Sequence, residues 1–173
     1  MIITNLLQKN PSFETGDMTG WTTPGWAKDP KIQQYEAQYG TYGATLYPNP
    51  TGLNSLISAS VTALAGARIV AVVRMTADTS MQSDTAPTLG ISADGALINK
   101  PIAVVPNSWR TYTSMVTVPP NTKNMQLRLA FWNPGDSQFC RVDGAGLYTD
   151  ADWQTLQKLG LDYFDGGTMP LAS

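Results

Sequence analysis

The sequence predicts an all-β fold: an antiparallel β-sandwich of the jelly-roll kind, followed by a short C-terminal helix and an extended tail. Three observations predict it. Short runs of alternating apolar and polar residues recur along residues 1–148. Between them lie "YPNPTG", "SADG", "VPPNTKN" and "NPGD", clusters of residues with specific turn chemistry. No segment of helical period interrupts the series before Thr149, which excludes α/β barrels.

The strand-like runs are Ile2–Leu7, Lys31–Tyr35, Ala44–Tyr47, Ser55–Val61, Ala67–Thr76, Thr88–Ser92, Trp109–Val118, Met125–Trp132 and Phe139–Tyr148. Side chains alternate between sheet faces with a period of two. In "MQLRLAFWN" this puts Leu127, Leu129 and Phe131 on a core face, and Arg128, Ala130 and Trp132 on the other. In "WRTYTSMVTVP" two sets compete, Tyr112, Ser114, Val116 and Val118 against Trp109, Thr111, Thr113, Met115 and Thr117. In "FCRVDGAGLY" alternation sets Asp143 in step with Ala145 and Leu147, hence inward. A buried lone carboxylate is costly and needs a hydrogen bond, an ion pair or a metal. Glu14, beside the core candidate Phe13, poses the same question. If the first and last strands are neighbours, the two carboxylates and nearby carbonyls form a hard-oxygen set suited to calcium. The alternative is a solvated Glu14, with Asp143 bonded to Arg141 or to backbone amides.

After Tyr148 the pattern changes. "TDADWQTLQKLG" offers Asp150 as N-cap, Asp152 in the first turn, Trp153, Leu156 and Leu159 on one stripe, and Gly160 as the stop. A helix so short needs a docking surface. Residues 149–173 therefore form a second unit, either packed on the sandwich or reaching another subunit.

Composition narrows the function. Charged residues make up 14% of the chain, against roughly a quarter in an average protein. A surface of Thr, Ser, Asn, Gln and Gly suits neutral polar partners. The net charge of -2 exerts no pull on phosphate, so nucleic acid is not an expected partner. There is no histidine, which removes Ser-His-Asp and Cys-His mechanisms and imidazole-bound zinc. The single cysteine, Cys140, lies in a strand-like run and reads as a buried, inert thiol. A carboxylate mechanism would have to use Asp78, Asp84, Asp94 or Asp136, and turn bonding explains each of them. No enzyme is expected. No apolar run reaches the ~20 residues of a membrane span. "MIITNLLQKNPSF" has no features of a secretory signal, so ordinary export is not expected.

Three stretches, "NLLQKNPSFETGDMTGW", "SWRTYTSMVTVP" and "LRLAFWNPGDSQFCRVDGAGLY", resemble carbohydrate-binding-module jelly rolls of the family 4, 9 and 22 type over about residues 5–148. The resemblance implies a structural calcium held in part by Glu14 and Asp143. The second acid usual after the last-strand Asp is absent, since position 144 is Gly. "DYFDGGTMP" is similar to the "YFDGDTP" signature that follows such jelly rolls in minor tail proteins of phages infecting actinobacteria, with Gly167 in place of Asp.

These readings lead to one expectation and one alternative. The expectation is a structural protein of a tailed-phage virion, located on the tail or capsid surface and assembling with copies of itself and other virion proteins. Trp153, Leu156, Leu159, Tyr163 and Phe164 are its expected assembly contact, with packing against the sandwich as their other reading. The alternative is a non-catalytic carbohydrate-binding module. Its expected glycan-binding residues are Trp132, Arg128, Trp21, Trp26 and Tyr42, through stacking and planar polar contacts. The two are compatible in a virion protein that grips host cell-wall polysaccharide.

Overall fold

A computed structural model describes residues 2–82, 85–164 and 166–170 of the chain. Asp84, Asp165 and the last three residues of the expected tail lie outside the described residues. In chain order the elements are β1 (Ile2–Thr4), β2 (Trp21–Thr22), β3 (Lys28–Gln33), β4 (Gly43–Tyr47), β5 (Leu53–Ser58), β6 (Val61–Thr62) and β7 (Arg68–Ala77). Then come β8 (Thr88–Ala93), β9 (Ala96–Pro101), β10 (Arg110–Thr117), β11 (Asn124–Trp132), β12 (Cys140–Thr149), α1 (Asp150–Lys158) and β13 (Thr168–Pro170).

Two antiparallel sheets pack face to face, as the alternation predicts. One has the order β10-β7-β12-β4-β3; the other runs β2-β5-β11-β8-β9, with β6 added beside β11. The main core lies between them. Ile69, Ala71, Val73 and Met75 of β7, and Leu127, Leu129 and Phe131 of β11, all face it. The open choice on β10 resolves in favour of Tyr112 and Val116, which join this core, while Thr113 and Thr117 are exposed. Cys140 is fully buried there, and burial pushes its thiol pKa up, which fits an inert thiol.

The termini lie side by side. β12 pairs with β4 only over Cys140–Val142, and beyond that point the N-terminal segment takes the vacated place. The amide of Ala145 donates to the Pro11 carbonyl at 2.9 Å, and the amide of Leu6 donates to the Leu147 carbonyl at 2.8 Å. Asn5 clamps the same strand from both directions, donating to Ala145 O and accepting from Leu147 N, each at 3.1 Å.

The C-terminal segment departs from the expectation of a loose tail. Thr149, one residue before the expected cap, caps α1 by accepting from Asp152 N at 3.1 Å. The chain then returns, and β13 pairs with β1 in register Ile3↔Met169. Helix and return strand close over the outer face of the five-stranded sheet. There Ile3, Val70, Val72, Tyr148 and Leu156 form a second, smaller core, with Met115, Trp153, Phe164 and Met169 packed around it.

Candidate functional site

The five-stranded sheet bears a carboxylate clamp on its outer face. Alternation predicts Asp143 in phase with Ala145 and Leu147, and here the structure corrects it. Gly144 adopts φ +63°, and the register slips by one residue between Asp143 and Ala145. Ala145 and Leu147 then face the main core, whereas Asp143 pairs with Arg74 on the opposite face. Only glycine fits at 144, because a Cβ would lie 2.5 Å from the Tyr39 ring.

Asp143 is buried all the same, because the loop before β4 folds over it. Its Oδ2 accepts from the amides of Gln38 at 2.5 Å and Tyr39 at 2.7 Å. Glu14 grips the other end of that loop, accepting from the amides of Thr41 at 2.8 Å and Tyr42 at 2.9 Å. Between the two grips sits Gly40, at φ +65°, where any side chain would strike the Glu14 carboxylate. Glu14 can follow the buried Phe13 directly because Phe13 takes a left-handed φ of +64° in a turn, not a strand. Burial raises the Asp143 pKa to about 7 against the pull of its amide donors, and the nearby Glu14 adds to the rise. Among the described residues its Oδ1 is buried with no hydrogen-bond partner.

Two carboxylates with one orphaned buried oxygen fit the donor chemistry of a hard cation. No cluster of three or more His, Cys, Asp or Glu side chains occurs among the described residues. Backbone oxygens would therefore have to complete any such site.

Beside the clamp, Asp162 ties the C-terminal segment down. It accepts from Tyr39 Oη at 2.5 Å and from the Thr111 hydroxyl, and lies 3.8 Å from Arg74 Nη1. Of the expected assembly residues, Leu156 is fully buried and Tyr163 nearly so, while Trp153 and Phe164 pack on Tyr148. These four pack against their own sheet, the other reading given for them, with Trp153 and Phe164 half-buried. Leu159 remains outside, 51% exposed.

The six-stranded sheet has a different outer face. Arg128 and Trp132 project from it as predicted, and Trp132 is 49% exposed. Register places Ile57 and Gly90 on either side of Arg128, Ser55 and Thr88 on either side of Ala130, and Leu53 beside Trp132. Arg128 donates to the Ser55 hydroxyl through Nε at 3.3 Å and Nη2 at 3.0 Å. On the flank, Asn99 Nδ2 donates to Thr88 Oγ1 at 3.2 Å.

Three of the expected glycan contacts stand elsewhere. Trp21 is a core residue, 6% exposed, tilted against Phe13 with its indole N–H donating to the Asn10 carbonyl at 2.8 Å. Trp26 is an anchor at the edge, edge-on to Phe131 and donating to the Ser55 carbonyl at 2.8 Å. Tyr42 precedes β4, in the other sheet, where its amide serves Glu14. Asn99 on β9 was missed: "ALINKP" is exposed along its length and carries no alternation, and only the preceding Asp94-Gly95 hairpin signal points to it. Asp78 and Asp94 hold backbone amides, as expected of turn acids. Their partners are remote, Gln138 for Asp78 and Lys123 with Asn124 for Asp94.

No protein-family model matches the sequence, and no curated protein matches it. Solved structures do match. The chain is similar to a family 61 carbohydrate-binding module in complex with beta-1,4-galactotriose, at 18% identity and TM-score 0.58, covering 84% of this chain and 99% of that one. It is similar to the CBM22-1 xylan-binding domain of Xyn10C from Paenibacillus barcinonensis, at 13% identity and TM-score 0.58, covering 85% and 96% respectively. It is also similar to part of the enzymatically active domain of tailspike protein 4 from bacteriophage CBA120, at 11% identity and TM-score 0.63, covering 84% of this chain and 21% of that one. At these identities the likeness is one of fold: this chain has the β-sandwich fold of carbohydrate-binding modules. No helix among the described residues is long and apolar enough to cross a membrane.

Proposed function

We propose that this chain is a non-catalytic glycan-binding module, with the outer face of the six-stranded sheet as its platform. The observation that carries the proposal is Trp132, a large aromatic left half-exposed on a face that mixes hydroxyl, amide and guanidinium groups with the apolar side chains of Leu53, Ile57 and Leu97. Such a ring offers a flat apolar surface to sugar C–H groups, while the polar neighbours orient the hydroxyls. The shared fold with modules bound to galactotriose or named for xylan supports the same reading. The test is retention on a panel of immobilised polysaccharides. The wild-type chain is expected to be retained on at least one, and Trp132→Ala on none. Equal retention of both proteins returns Trp132 to plain packing.

A structural calcium belongs to this reading. Glu14 and Asp143 would hold it, and it would neutralise two neighbouring carboxylates beneath the loop of residues 37–42. Its work would be stability, at a distance from the platform. Glu14→Gln combined with Asp143→Asn is expected to abolish any calcium-dependent gain in melting temperature. A wild-type melting curve indifferent to chelator overturns the metal.

A virion setting is favoured by one further pair of observations: the tailspike likeness and the "DYFDGGTMP" stretch. In that setting the module sits on the tail or capsid surface, beside other virion proteins and copies of itself, and presents its platform to host polysaccharide. Exposed Leu159 and Leu161 are apolar groups of the C-terminal segment that a neighbour could cover. Mass spectrometry of purified particles tests it: the chain's peptides are expected there, and their absence overturns the setting without touching glycan binding.

A further inference from the structure

We infer that the glycan taken by this platform is acidic, and that Arg128 pairs with a carboxylate on it. The inference rests on the glycan-binding reading and narrows it. Arg128 is the one charged side chain that the register directs outward from β5, β8, β9 and β11 among the described residues. Among the described residues no carboxylate is directed outward from these strands. The nearest acid in sequence to these strands on the β8–β9 side, Asp94, sits in the hairpin turn with both oxygens given to the amides of Lys123 and Asn124. On the other sheet Arg68 pairs with Asp150 at 3.4 Å and Arg74 with Asp162 at 3.8 Å, while the exposed Arg110 donates through Nε to the Ser108 hydroxyl at 3.4 Å. Arg128 forms no ion pair among the described residues.

Its head is also held in place. Nε and Nη2 both donate to the hydroxyl of Ser55, a residue 1% exposed, so the guanidinium plane is fixed before any ligand arrives. Nη1 makes no hydrogen bond to the described residues, and a planar fork with spare donors matches a carboxylate better than a single hydroxyl. A fixed head loses less freedom on binding. Gly90, directly across from Arg128, is buried under β9, where a Cβ would lie 2.2 Å from the Ile98 carbonyl and 2.9 Å from Asn99 Cβ, so Asn99 borders the guanidinium on that side. Trp132 lies four residues along the same strand, about 13 Å away at ~3.3 Å per residue. One ligand reaching both must be an oligosaccharide of several units, with its acid on a different unit from the one stacked on Trp132.

The experiment uses the full chain and matched oligosaccharide pairs: oligogalacturonate, alginate and hyaluronan fragments, each beside its carboxyl-reduced neutral counterpart, titrated by calorimetry. At least one acidic member is expected to bind tenfold or more tightly than its neutral partner, with a preference that shrinks as salt rises. Arg128→Gln should abolish the preference, and Arg128→Lys should retain part of it. Thermal melts of both variants establish that they are folded. Neutral members bound as tightly as acidic ones, or a preference that survives Arg128→Gln, overturns the inference and leaves glycan binding standing. No binding to any member of the panel, together with no retention on neutral polysaccharides, overturns both.

Discussion

The five-stranded sheet turns Val70, Val72, Met115 and Tyr148 outward and covers them with α1 and the aromatic turn through Phe164. The six-stranded sheet turns Gln126, Arg128 and Trp132 outward, with Leu53, Ile57 and Leu97 among them, and no helix of the described residues covers them. One sandwich thus has an apolar outer face closed by its own C-terminus and a mixed polar and apolar outer face left open. The difference explains the C-terminal helix. A sheet apolar on both sides must be covered on both sides, and here the cover is intramolecular. It also identifies the surface available to a partner, because exposed polar groups around a half-exposed indole need no cover.

The comparison breaks first at Tyr148. Its ring lies over Gly146 of its own strand and touches both Trp153 and Phe164, so it joins sheet, helix and turn. Tyr148→Ala is expected to cost about 3–5 kcal/mol, as aromatic truncations in cores do. Denaturant melts measure it. Retention on glycan should survive at temperatures where the variant is folded. A loss under about 1 kcal/mol would mean that the cover is loosely held and the two faces differ less than their packing indicates.

The next effect is at Gly144. Gly144→Ala forces a Cβ against the Tyr39 ring at a positive φ and is expected to cost about 1–3 kcal/mol. This residue also shows where sequence reading stopped. β7, β10 and β11 are legible in the sequence to within a residue or two, along with the core face of β11: β10 and β11 have one buried face and therefore alternate, whereas β7, buried on both faces, stands out as a continuous apolar run. A bulge inverts that rule from a single position onward. Nothing in "RVDGAGLY" distinguishes a bulge glycine from a small strand residue, so Asp143 was placed on the wrong face while its burial was foreseen. The same limit applies to the tryptophans. Trp21 and Trp26 read as loop aromatics, yet their N–H groups meet carbonyls at Asn10 and Ser55 that only the tertiary fold brings near. The short strands β2 and β13 carry too few residues for any period.

The clamp gives a smaller, pH-dependent effect. Burial lifts the Asp143 pKa from its ordinary value of 3.8 to about 7, so between these limits the folded protein binds the proton more tightly than the unfolded chain. Stability without metal should therefore be greatest at acid pH, fall as pH rises from about 4 to about 7, and level off above. Calcium should oppose the fall, because a cation favours the ionised carboxylate. Asp143→Asn should remove the slope in that window. Thermal melts in chelator across the range check it, and stability that rises through the window instead would show that the amides of Gln38 and Tyr39 outweigh burial.

The smallest expected stability effect is at Trp132, and it is the sharpest test of the open face. Trp132 is half-exposed beside Leu53, itself 38% exposed. Surface substitutions away from buried networks change stability by about 0.5 kcal/mol or less, so Trp132→Ala should melt like wild type while losing retention on polysaccharide. Trp26→Ala serves as its counterpart. That residue packs on Phe131 and spends its N–H on Ser55, so its removal should lower the melting temperature. One tryptophan then reports on recognition and the other on packing, although Trp132 follows Phe131 on β11 and Trp26 packs against Phe131 from the β2–β3 loop. If Trp132→Ala instead destabilises as much as Trp26→Ala, the exposed ring is holding the sheet together. The face would then be structural surface, with no platform for a glycan.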